Sequence, residues 1–211
     1  MTRLVLASGS PRRRDILTAL GLQFDVRPPD VDETLRPGED APDAARRLAE
    51  EKAAAVEVAP RELVIAADTI VVLDGELLGK PTGPEEAIAM IGRLAGRSHD
   101  VITGLAVRFE AETRSVAART KVTFRPLGRA EIVAYVATGE PLDKAGAYGI
   151  QGYGSALVEG IEGDFFNVMG LPVPALLALL RAAGFRYLYG DIVPLEDVST
   201  SIRAEPVEER A

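Results

Sequence analysis

Hydrophobic residues fall into two kinds of segment along the chain, and each kind predicts a different element. Runs and alternations of aliphatic residues are typical of strands, whereas aliphatic residues spaced three or four apart are typical of helices. The predicted strands lie at 3–7, 24–28, 62–73, 76–80, 98–109, 113–125 and 156–161. The predicted helices lie at 10–21, 42–58, 84–96, 128–139 and 174–183. The chain therefore alternates between strands and helices over most of its length.

The order of these elements predicts the fold class. Asp74-Gly75 is typical of a two-residue hairpin turn, so the strands on either side of it are expected to pair. Because helices are interleaved with both hairpins and isolated strands, we expect a single α/β domain with a mixed, twisted β-sheet flanked by helices. This domain covers residues 1–189, and we expect residues 190–211 to form an acidic, mobile tail.

Composition narrows the function classes. The 211 residues include no cysteine and a single histidine, which excludes disulfides, cysteine-ligated zinc and His-rich metal clusters. The net charge of −8 argues against a general nucleic-acid-binding protein, because such proteins usually carry a basic surface. No segment reaches the roughly 18 apolar residues of a membrane span, and the N-terminus lacks the pattern of a signal peptide. We therefore expect a cytoplasmic protein that contacts neither nucleic acid nor membrane.

Three consecutive arginines follow the first predicted strand, in the sequence SGSPRRR. Arg12, Arg13 and Arg14 fall in the first turn of the helix that begins after Ser10. Positive side chains are misplaced there by a few tenths of a kcal/mol each, up to about 1, because a helix N-terminus already carries partial positive charge. A phosphate-bearing ligand would resolve the conflict, since arginine forks bind phosphate bidentately. The alternative is that the arginines point into water or pair with the acidic loop 30–33.

Asp68 lies in a strand of aliphatic residues, where a carboxylate is costly unless it is paired, metal-bound or catalytic. Pairing with an arginine is the common structural explanation. The adjacent Thr69 adds a second polar group, and a basic cluster is available to face both side chains. We therefore favour Asp68 as a general base or metal ligand. His99, at the start of a strand, is expected to be structural.

Lysine is scarce, with four residues in the chain, so each position is informative. Lys52 lies on the apolar face of the second predicted helix, where its side chain would ordinarily extend to solvent but could also point into a phosphate pocket. Lys80 ends the hairpin that follows the strand of Asp68, so both side chains are expected at the same edge of the sheet. Together with the arginines, these lysines predict a clamp for a polyphosphate.

Several motifs occur together and in order: ASGSPRR, AADTIV, LGKP, LDKAGAYGIQGYGS and FFNVMGLPVP. Over about residues 3–185 they resemble the Maf family of nucleoside triphosphate pyrophosphatases. The resemblance implies a fold similar to that of inosine triphosphate pyrophosphatases. It also implies hydrolysis of a nucleoside triphosphate to the monophosphate and pyrophosphate, assisted by a divalent metal cation such as Mg²⁺ or Mn²⁺. The motifs SPRR, ADT and GIQG are similar to the branch that acts on dTTP and UTP, and a sister branch that acts on methylated GTP differs at these places.

The roles of single residues follow from the same resemblance. It implies that Asp68 is the proton acceptor and that Arg12, Thr69 and Gln151 determine specificity. The positions associated with the substrate and metal pocket are Ser10, Arg13, Glu33, Lys52 and Lys80. The amide of Gln151 offers both a donor and an acceptor, which suits the edge of a pyrimidine base.

The resulting hypothesis is that Asp68 activates or positions a water for attack on the α–β anhydride of a nucleoside triphosphate. Asp68, Glu33 or both would hold the metal, and the cationic side chains would stabilise the leaving pyrophosphate. Two alternatives stay open: a hydrolase that removes modified pyrimidine nucleotides, and a regulator of septum formation that binds nucleotide as a signal. Because two-fold oligomers are the commonest, a homodimer is the default expectation.

Overall fold

Seven strands form one mixed sheet in the computed structural model, which describes residues 2–36 and 38–195. At one side, two strands are parallel to each other and to the third: β1 (Arg3–Ala7), β2 (Phe24–Val26) and β3 (Glu62–Leu73). The short β4 (Glu76–Leu78) returns from β3 as a hairpin. The antiparallel half of the sheet consists of β5 (Ser98–Phe109), β6 (Glu112–Phe124) and β7 (Val158–Glu162), so that the strand order is β2-β1-β3-β5-β6-β7. The predicted mixed sheet is confirmed.

Helices flank this sheet. Among the described residues they are α1 (Pro11–Ala19), α2 (Ala41–Ala54), α3 (Pro84–Leu94), α4 (Arg129–Ala137), α5 (Phe165–Met169) and α6 (Val173–Ala182). Three short 3₁₀ turns lie between Glu140 and Leu157. None of the helices in the described residues is long and apolar enough to cross a membrane.

Most element predictions are confirmed, with differences at three places. The Asp74-Gly75 hairpin turn is present, and both residues have positive φ values, 53° and 82°, as a type I′ turn requires. Helix α2 ends four residues before its predicted end, and α5 is an additional helix of one turn. The third difference is a hairpin of β8 (Phe185–Leu188) and β9 (Asp191–Pro194).

This last hairpin crosses the predicted boundary between domain and tail. Residues 191–194 pair with β8, and the N–H of Leu195 donates to the carbonyl of Gly184 at 2.8 Å, so they are not part of a mobile tail. Each of these strands has only four residues, too few for a distinct alternating pattern, which explains why the sequence did not reveal them. Residues 196–211 of the predicted tail lie outside the described residues.

Alternate side chains of β3 face opposite sides of the sheet. Val64 and Ala66 pack in the core beneath α2, whereas Leu63 and Ile65 pack in the core formed with α1 and α6. In the distal half of β3, Val71 and Leu73 pack in another core, formed with α3 and α4, whereas Ile70 packs against α2. The middle of β3, between these cores, carries the two polar residues of the motif AADTIV.

Candidate active site

A cleft of about 780 Å³ opens at the middle of β3. Its walls come from the start of α1, from β3, from the end of β4 and from the glycine-rich segment before β7. All nine site residues proposed from the sequence line it: Ser10, Arg12, Arg13, Glu33, Lys52, Asp68, Thr69, Lys80 and Gln151. The fold therefore brings together groups that are distant in sequence.

Lys52 links the two carboxylates that the sequence analysis assigned to catalysis and metal binding. Its Nζ donates to Asp68 Oδ1 at 2.6 Å and lies 2.6 Å from Glu33 Oε1. Asp68 and Lys52 are buried, with 8% and 6% exposure, whereas the Glu33 side chain is half exposed. Burial raises the pKa of Glu33, but the hydrogen bond and charge of Lys52 outweigh it, so the pKa lies below its ordinary value. The partner of Asp68 is thus a lysine, not the arginine of the common structural explanation.

Thr69 faces the other side of β3, where it joins a hydrogen-bond network around Arg13. The Nη2 of Arg13 donates to Thr69 Oγ1 at 3.1 Å, and its Nη1 donates to Ser8 Oγ at 3.0 Å. Its Nε donates to the carbonyl oxygen of Gly170 at 2.8 Å. Burial lowers the pKa of Arg13, and the negative charge of Asp68 opposes this effect. Arg13 is therefore held in place at the cleft wall by acceptors of the protein itself.

Behind this network lie two residues that the sequence analysis did not assign to the site. The hydroxyl of Thr103 lies 3.0 Å from Thr69 Oγ1 and donates to the carbonyl oxygen of Asn167 at 2.9 Å. Asn167 is fully buried, and its Nδ2 donates to Val101 O and Thr120 Oγ1. A signal for it exists in the sequence, because Asn167 is the only asparagine and lies in the motif FFNVMGLPVP. The motif FFNVMGLPVP therefore holds Thr103 in place, and Thr103 in turn contacts the Thr69 side chain that binds Arg13.

The three arginines at the start of α1 do not share one role. Arg13 is buried, whereas Arg12 lies at the cleft with its Nη1 3.5 Å from Asp143 Oδ2. Arg14 is exposed and is not part of the cleft wall. Consecutive helical residues point in directions about 100° apart, which explains the separation. The prediction that all three arginines bind a phosphate is therefore wrong for Arg14. Its side chain points into water, as the alternative stated.

Ser10 is the N-cap of α1 by position, but its side chain makes no capping hydrogen bond within the described residues. Instead, Ser8 Oγ accepts a hydrogen bond from the backbone N–H of Ser10 at 3.2 Å. The Ser10 side chain therefore does not cap the helix, and its hydroxyl lies at the cleft wall.

Lys80 and Gln151 lie at the exposed parts of the cleft wall. Lys80 follows β4, and its positive charge contributes to the lowered pKa of Glu33. Gln151 lies in the glycine-rich segment, next to Gly152, whose φ is 65°. The cleft therefore offers the positive charge of Lys80 and the amide group of Gln151 at different parts of its wall.

His99 is buried outside the cleft wall. Its Nε2 lies 2.7 Å from the hydroxyl oxygen of Tyr148, and its ring packs edge-on against Phe124 and Tyr148. Burial lowers the pKa of His99 to about 4, with a small opposing effect of Asp100. The imidazole is therefore neutral at neutral pH and has a packing role.

Taken chemically, the cleft combines a carboxylate that can accept a proton with cations that can stabilise phosphate oxygens. In the described part of the chain no group of three or more His, Cys, Asp or Glu residues is arranged to hold a metal ion. Glu33 and Asp68 would therefore need oxygens of a substrate and water to complete a metal shell, which is typical of Mg²⁺.

Comparison with known proteins finds a matching family, similar curated proteins and a similar solved structure. Residues 3–183 match the family described as Maf-like protein. A dTTP/UTP pyrophosphatase of Anaeromyxobacter dehalogenans is 54% identical over 187 residues, which cover 87% of this chain and 95% of the relative. A dTTP/UTP pyrophosphatase of Symbiobacterium thermophilum is 48% identical over 191 residues, which cover 90% and 98%. Among solved structures, the Staphylococcus aureus Ham1 protein is similar at 16% identity with a TM-score of 0.46, covering 86% of this chain and 100% of that chain.

Proposed function

The chain belongs to the Maf family, and on that premise we propose that it hydrolyses nucleoside triphosphates to the monophosphate and pyrophosphate, with dTTP and UTP as preferred substrates. The relatives named dTTP/UTP pyrophosphatase share about half of its residues over nearly their whole length. The structural observation that carries the proposal is the buried pair of Asp68 and Lys52 in a cleft that further cations line.

Asp68 is the proton acceptor of this proposal. A water takes its place between the carboxylate and the α–β anhydride, gives a proton to Asp68 and attacks phosphorus, while the bond to the bridging oxygen breaks and pyrophosphate leaves. The hydrogen bond from Lys52 at 2.6 Å orients the carboxylate. Because both side chains are buried, this orientation is maintained before substrate enters.

Binding of the phosphate chain is assigned to the positively charged side chains that line the cleft. Arg13 is fixed by its hydrogen bonds to Thr69 and Gly170 and offers a preorganised positive charge. Arg12 is partly exposed, and its Nη1 lies as far as 3.5 Å from Asp143 Oδ2. This ion pair is weak, so a phosphate can replace Asp143 as the partner of Arg12. Lys80 completes the clamp from the hairpin side of the cleft.

A divalent cation fits the donor set of the cleft. Oxygens of Glu33 and Asp68 converge on one Lys52 ammonium, so the site already accommodates a positive charge between two carboxylates. These two residues would hold the cation, and phosphate oxygens and water would complete its shell. When bound, the cation, Mg²⁺ or Mn²⁺, supplies neutralisation of the phosphate charge.

Base recognition is assigned to Gln151, whose amide has the donor and the acceptor that a pyrimidine edge needs. The net charge of −8 supports an enzyme that does not bind nucleic acid. A cytoplasmic location and a homodimer stay predictions from the sequence.

The deciding experiment measures pyrophosphate release from a panel of nucleoside triphosphates in buffer that contains Mg²⁺ or Mn²⁺. Asp68→Asn should lower turnover of dTTP at least about 100-fold, because removal of a general base costs 10²–10⁴ in rate. The matched control is Glu62→Gln, which removes another buried carboxylate with a cationic partner, Arg27, outside the cleft. The control should lose stability but keep the turnover of each folded molecule.

Three other results would contradict parts of the proposal. Near-normal turnover of Asp68→Asn would exclude Asp68 as the proton acceptor. Nucleotide binding without pyrophosphate release by the wild type would exclude the enzyme and favour a regulator of septum formation. Higher kcat/KM on 5-substituted pyrimidine nucleotides than on dTTP would make modified nucleotides the main substrates.

A further inference from the structure

The segment that carries Gln151 is bound through its backbone to a single carboxylate. Glu140 Oε2 accepts a hydrogen bond from the N–H of Tyr153 at 2.9 Å, and its Oε1 accepts one from the N–H of Gly154 at 2.9 Å. Hydrogen bonds to an ionised acceptor are stronger than those between neutral groups. Glu140 therefore fixes the chain just after Gln151.

Tyr135, on the buried face of α4, holds the chain before Gln151. Glu140 and Tyr135 together are called the anchor of this segment. Its hydroxyl donates to Glu140 Oε1 at 2.9 Å and accepts from the N–H of Gly149 at 3.2 Å. Burial raises the pKa of this hydroxyl, so the group keeps the proton that it donates. Gln151 thus lies between backbone groups that are held on both sides.

Two glycines of the segment lie so close to their neighbours that no side chain would fit there. A Cβ at Gly152 would lie 2.5 Å from Glu140 Oε2, and the residue has a positive φ of 65°. A Cβ at Gly154 would lie 2.1 Å from the carbonyl oxygen of Gly149 and 2.7 Å from the Tyr135 hydroxyl. Side chains are therefore excluded at both positions, by Glu140 at Gly152 and by Tyr135 and the Gly149 carbonyl at Gly154.

Glycine-rich backbone has high conformational freedom, which would have to be lost each time a ligand is bound. Hydrogen bonds that hold the segment in advance remove this cost. Glu140 also lines the cleft, whereas Tyr135 lies behind it. The contacts of the pair are with the segment of Gln151 and do not include Asp68 or Lys52.

We propose that Glu140 and Tyr135 are positioning residues for base recognition, which hold residues 149–154 so that the Gln151 amide meets the edge of a pyrimidine. The inference rests on the proposed function, because it concerns the substrate of the same cleft. It assigns base discrimination to Gln151 together with the two side chains that hold its backbone.

The test uses Glu140→Gln, which keeps the size of the side chain but replaces one accepting oxygen by an NH₂ group that faces N–H donors. We expect KM for dTTP to rise about tenfold and kcat to change less than about threefold, because proton transfer at Asp68 is untouched. The preference for dTTP over dCTP in kcat/KM should fall about tenfold, since these bases have the same size and differ at the recognised edge. Tyr135→Phe should show the same pattern with a smaller amplitude.

Glu131→Gln is the matched control. Glu131 lies on α4, the helix of Tyr135, and its carboxylate also accepts a backbone hydrogen bond, from the N–H of Gly128 at 2.9 Å, but it is not part of the cleft wall. If Glu140 were merely structural, both variants would lower the melting temperature and neither would change the preference for dTTP. We expect only the Glu140 and Tyr135 variants to change it.

Calorimetric titration with the non-hydrolysable α,β-imido analogues of dTTP and dCTP provides a readout that does not need turnover. An unchanged preference in both anchor variants, in turnover and in binding, would overturn the inference while the proposed function stands. If the wild type released no pyrophosphate, the proposed function would fail, and the analogue titrations would still decide the role of the anchor. A wild type that binds both analogues equally would overturn the inference as well. If Glu140→Gln did not fold, Tyr135→Phe would decide.

Discussion

Asp68 and Thr69 are neighbours in the chain, yet they serve opposite faces of the sheet. Strand alternation directs Asp68 to Lys52 of α2 and Thr69 to Arg13 of α1. The same dipeptide therefore contributes to the carboxylate–lysine pair and to the support of an arginine. A shift of one residue in the register of β3 would exchange the two roles and separate each side chain from its partner.

His99 gives a prediction at the residue scale, because it is the only histidine and its pKa in the folded protein is lowered to about 4 from 6.5 by burial. The unfolded chain binds a proton at higher pH than the folded chain, so stability is lost as pH falls through this window. Between pH 7.5 and pH 5 the free energy of unfolding should fall by about 2 kcal/mol. Urea unfolding at the two pH values measures this loss.

The variant His99→Gln isolates the effect. Glutamine can still bond the hydroxyl of Tyr148 but does not titrate, so its stability should be nearly flat between pH 7.5 and pH 5. Equal pH slopes in the wild type and the variant would show that another group titrates in this window.

At the scale of elements, the contact between α2 and β5 determines where Lys52 lies. Gly104 of β5 pairs with Asp68 across the sheet, and α2 passes directly over it. A Cβ at Gly104 would lie 1.9 Å from the carbonyl oxygen of Ala45 and 2.1 Å from its carbonyl carbon. Lys52 is two helical turns from Ala45, so the absence of a side chain at Gly104 permits the close approach that joins Lys52 to Asp68.

Gly104→Ala should therefore disturb both the fold and the site. The added methyl group forces α2 away from the sheet, which should lower the free energy of unfolding by about 3 kcal/mol. Because the Lys52–Asp68 pair stretches with it, kcat/KM should fall more than about tenfold in the fraction that stays folded. Urea unfolding and pyrophosphate release measure the two effects.

Gly160→Ala in β7 is the control, because a Cβ there would have no neighbour within 4 Å. It should leave stability unchanged within about 0.5 kcal/mol and leave activity unchanged. A loss in this control as large as that of Gly104→Ala would mean that the contact with Ala45 is not the cause.

Most elements were predictable from their hydrophobic pattern, including short strands such as β1, but α5, β8 and β9 were not. The twelve residues of β3 and the eleven of α3 carry enough hydrophobic pattern to be identified from sequence alone. The five residues of α5 do not, and neither do the four of β8, since such short segments are stabilised by tertiary contacts.

The same limit applies to the site. Asp68 and Lys52 were identifiable because a charge among aliphatic residues is costly and needs a reason. Glu140 and Tyr135 look ordinary in sequence, as a polar residue in a turn and an aromatic residue on a helix face. Their role depends on which backbone N–H groups the fold brings to them, and a linear pattern does not contain that information.

At the scale of the whole molecule, an acidic chain is stabilised by arginine–carboxylate pairs. Arg27 binds both oxygens of the buried Glu62, at 2.6 and 2.7 Å, and Arg47 binds both oxygens of Glu39 at the same two distances. These hydrogen bonds lower the pKa of Glu62 and of Glu39 to about 2. The net charge of −8 thus includes carboxylates that the fold holds in ionised form.

Glu62 leads to the last prediction, on stability in acid. Its pKa falls from an ordinary 4.5 to about 2 in the folded protein, mainly through the hydrogen bonds from Arg27. A lowered carboxylate pKa stabilises the fold above about pH 4.5, and this stabilisation is lost as pH falls toward 2. The wild type should therefore be more stable than Glu62→Gln at pH 7, and the difference in urea midpoint should shrink at pH 3. Glu76→Gln, which affects an exposed pair with Arg93, should differ little from the wild type at either pH.

The two acid effects overlap only between about pH 4 and pH 4.5, so both can be measured in one pH series. The loss caused by His99 begins near its ordinary pKa of 6.5 and is complete near 4, whereas the loss caused by Glu62 begins near 4.5. His99→Gln should remove the first slope and keep the second, and Glu62→Gln should do the reverse. If either variant removed both slopes, the two groups would titrate as one unit. That result would contradict their separate positions, because His99 packs with Tyr148 and Glu62 pairs with Arg27 at the other end of the long strands.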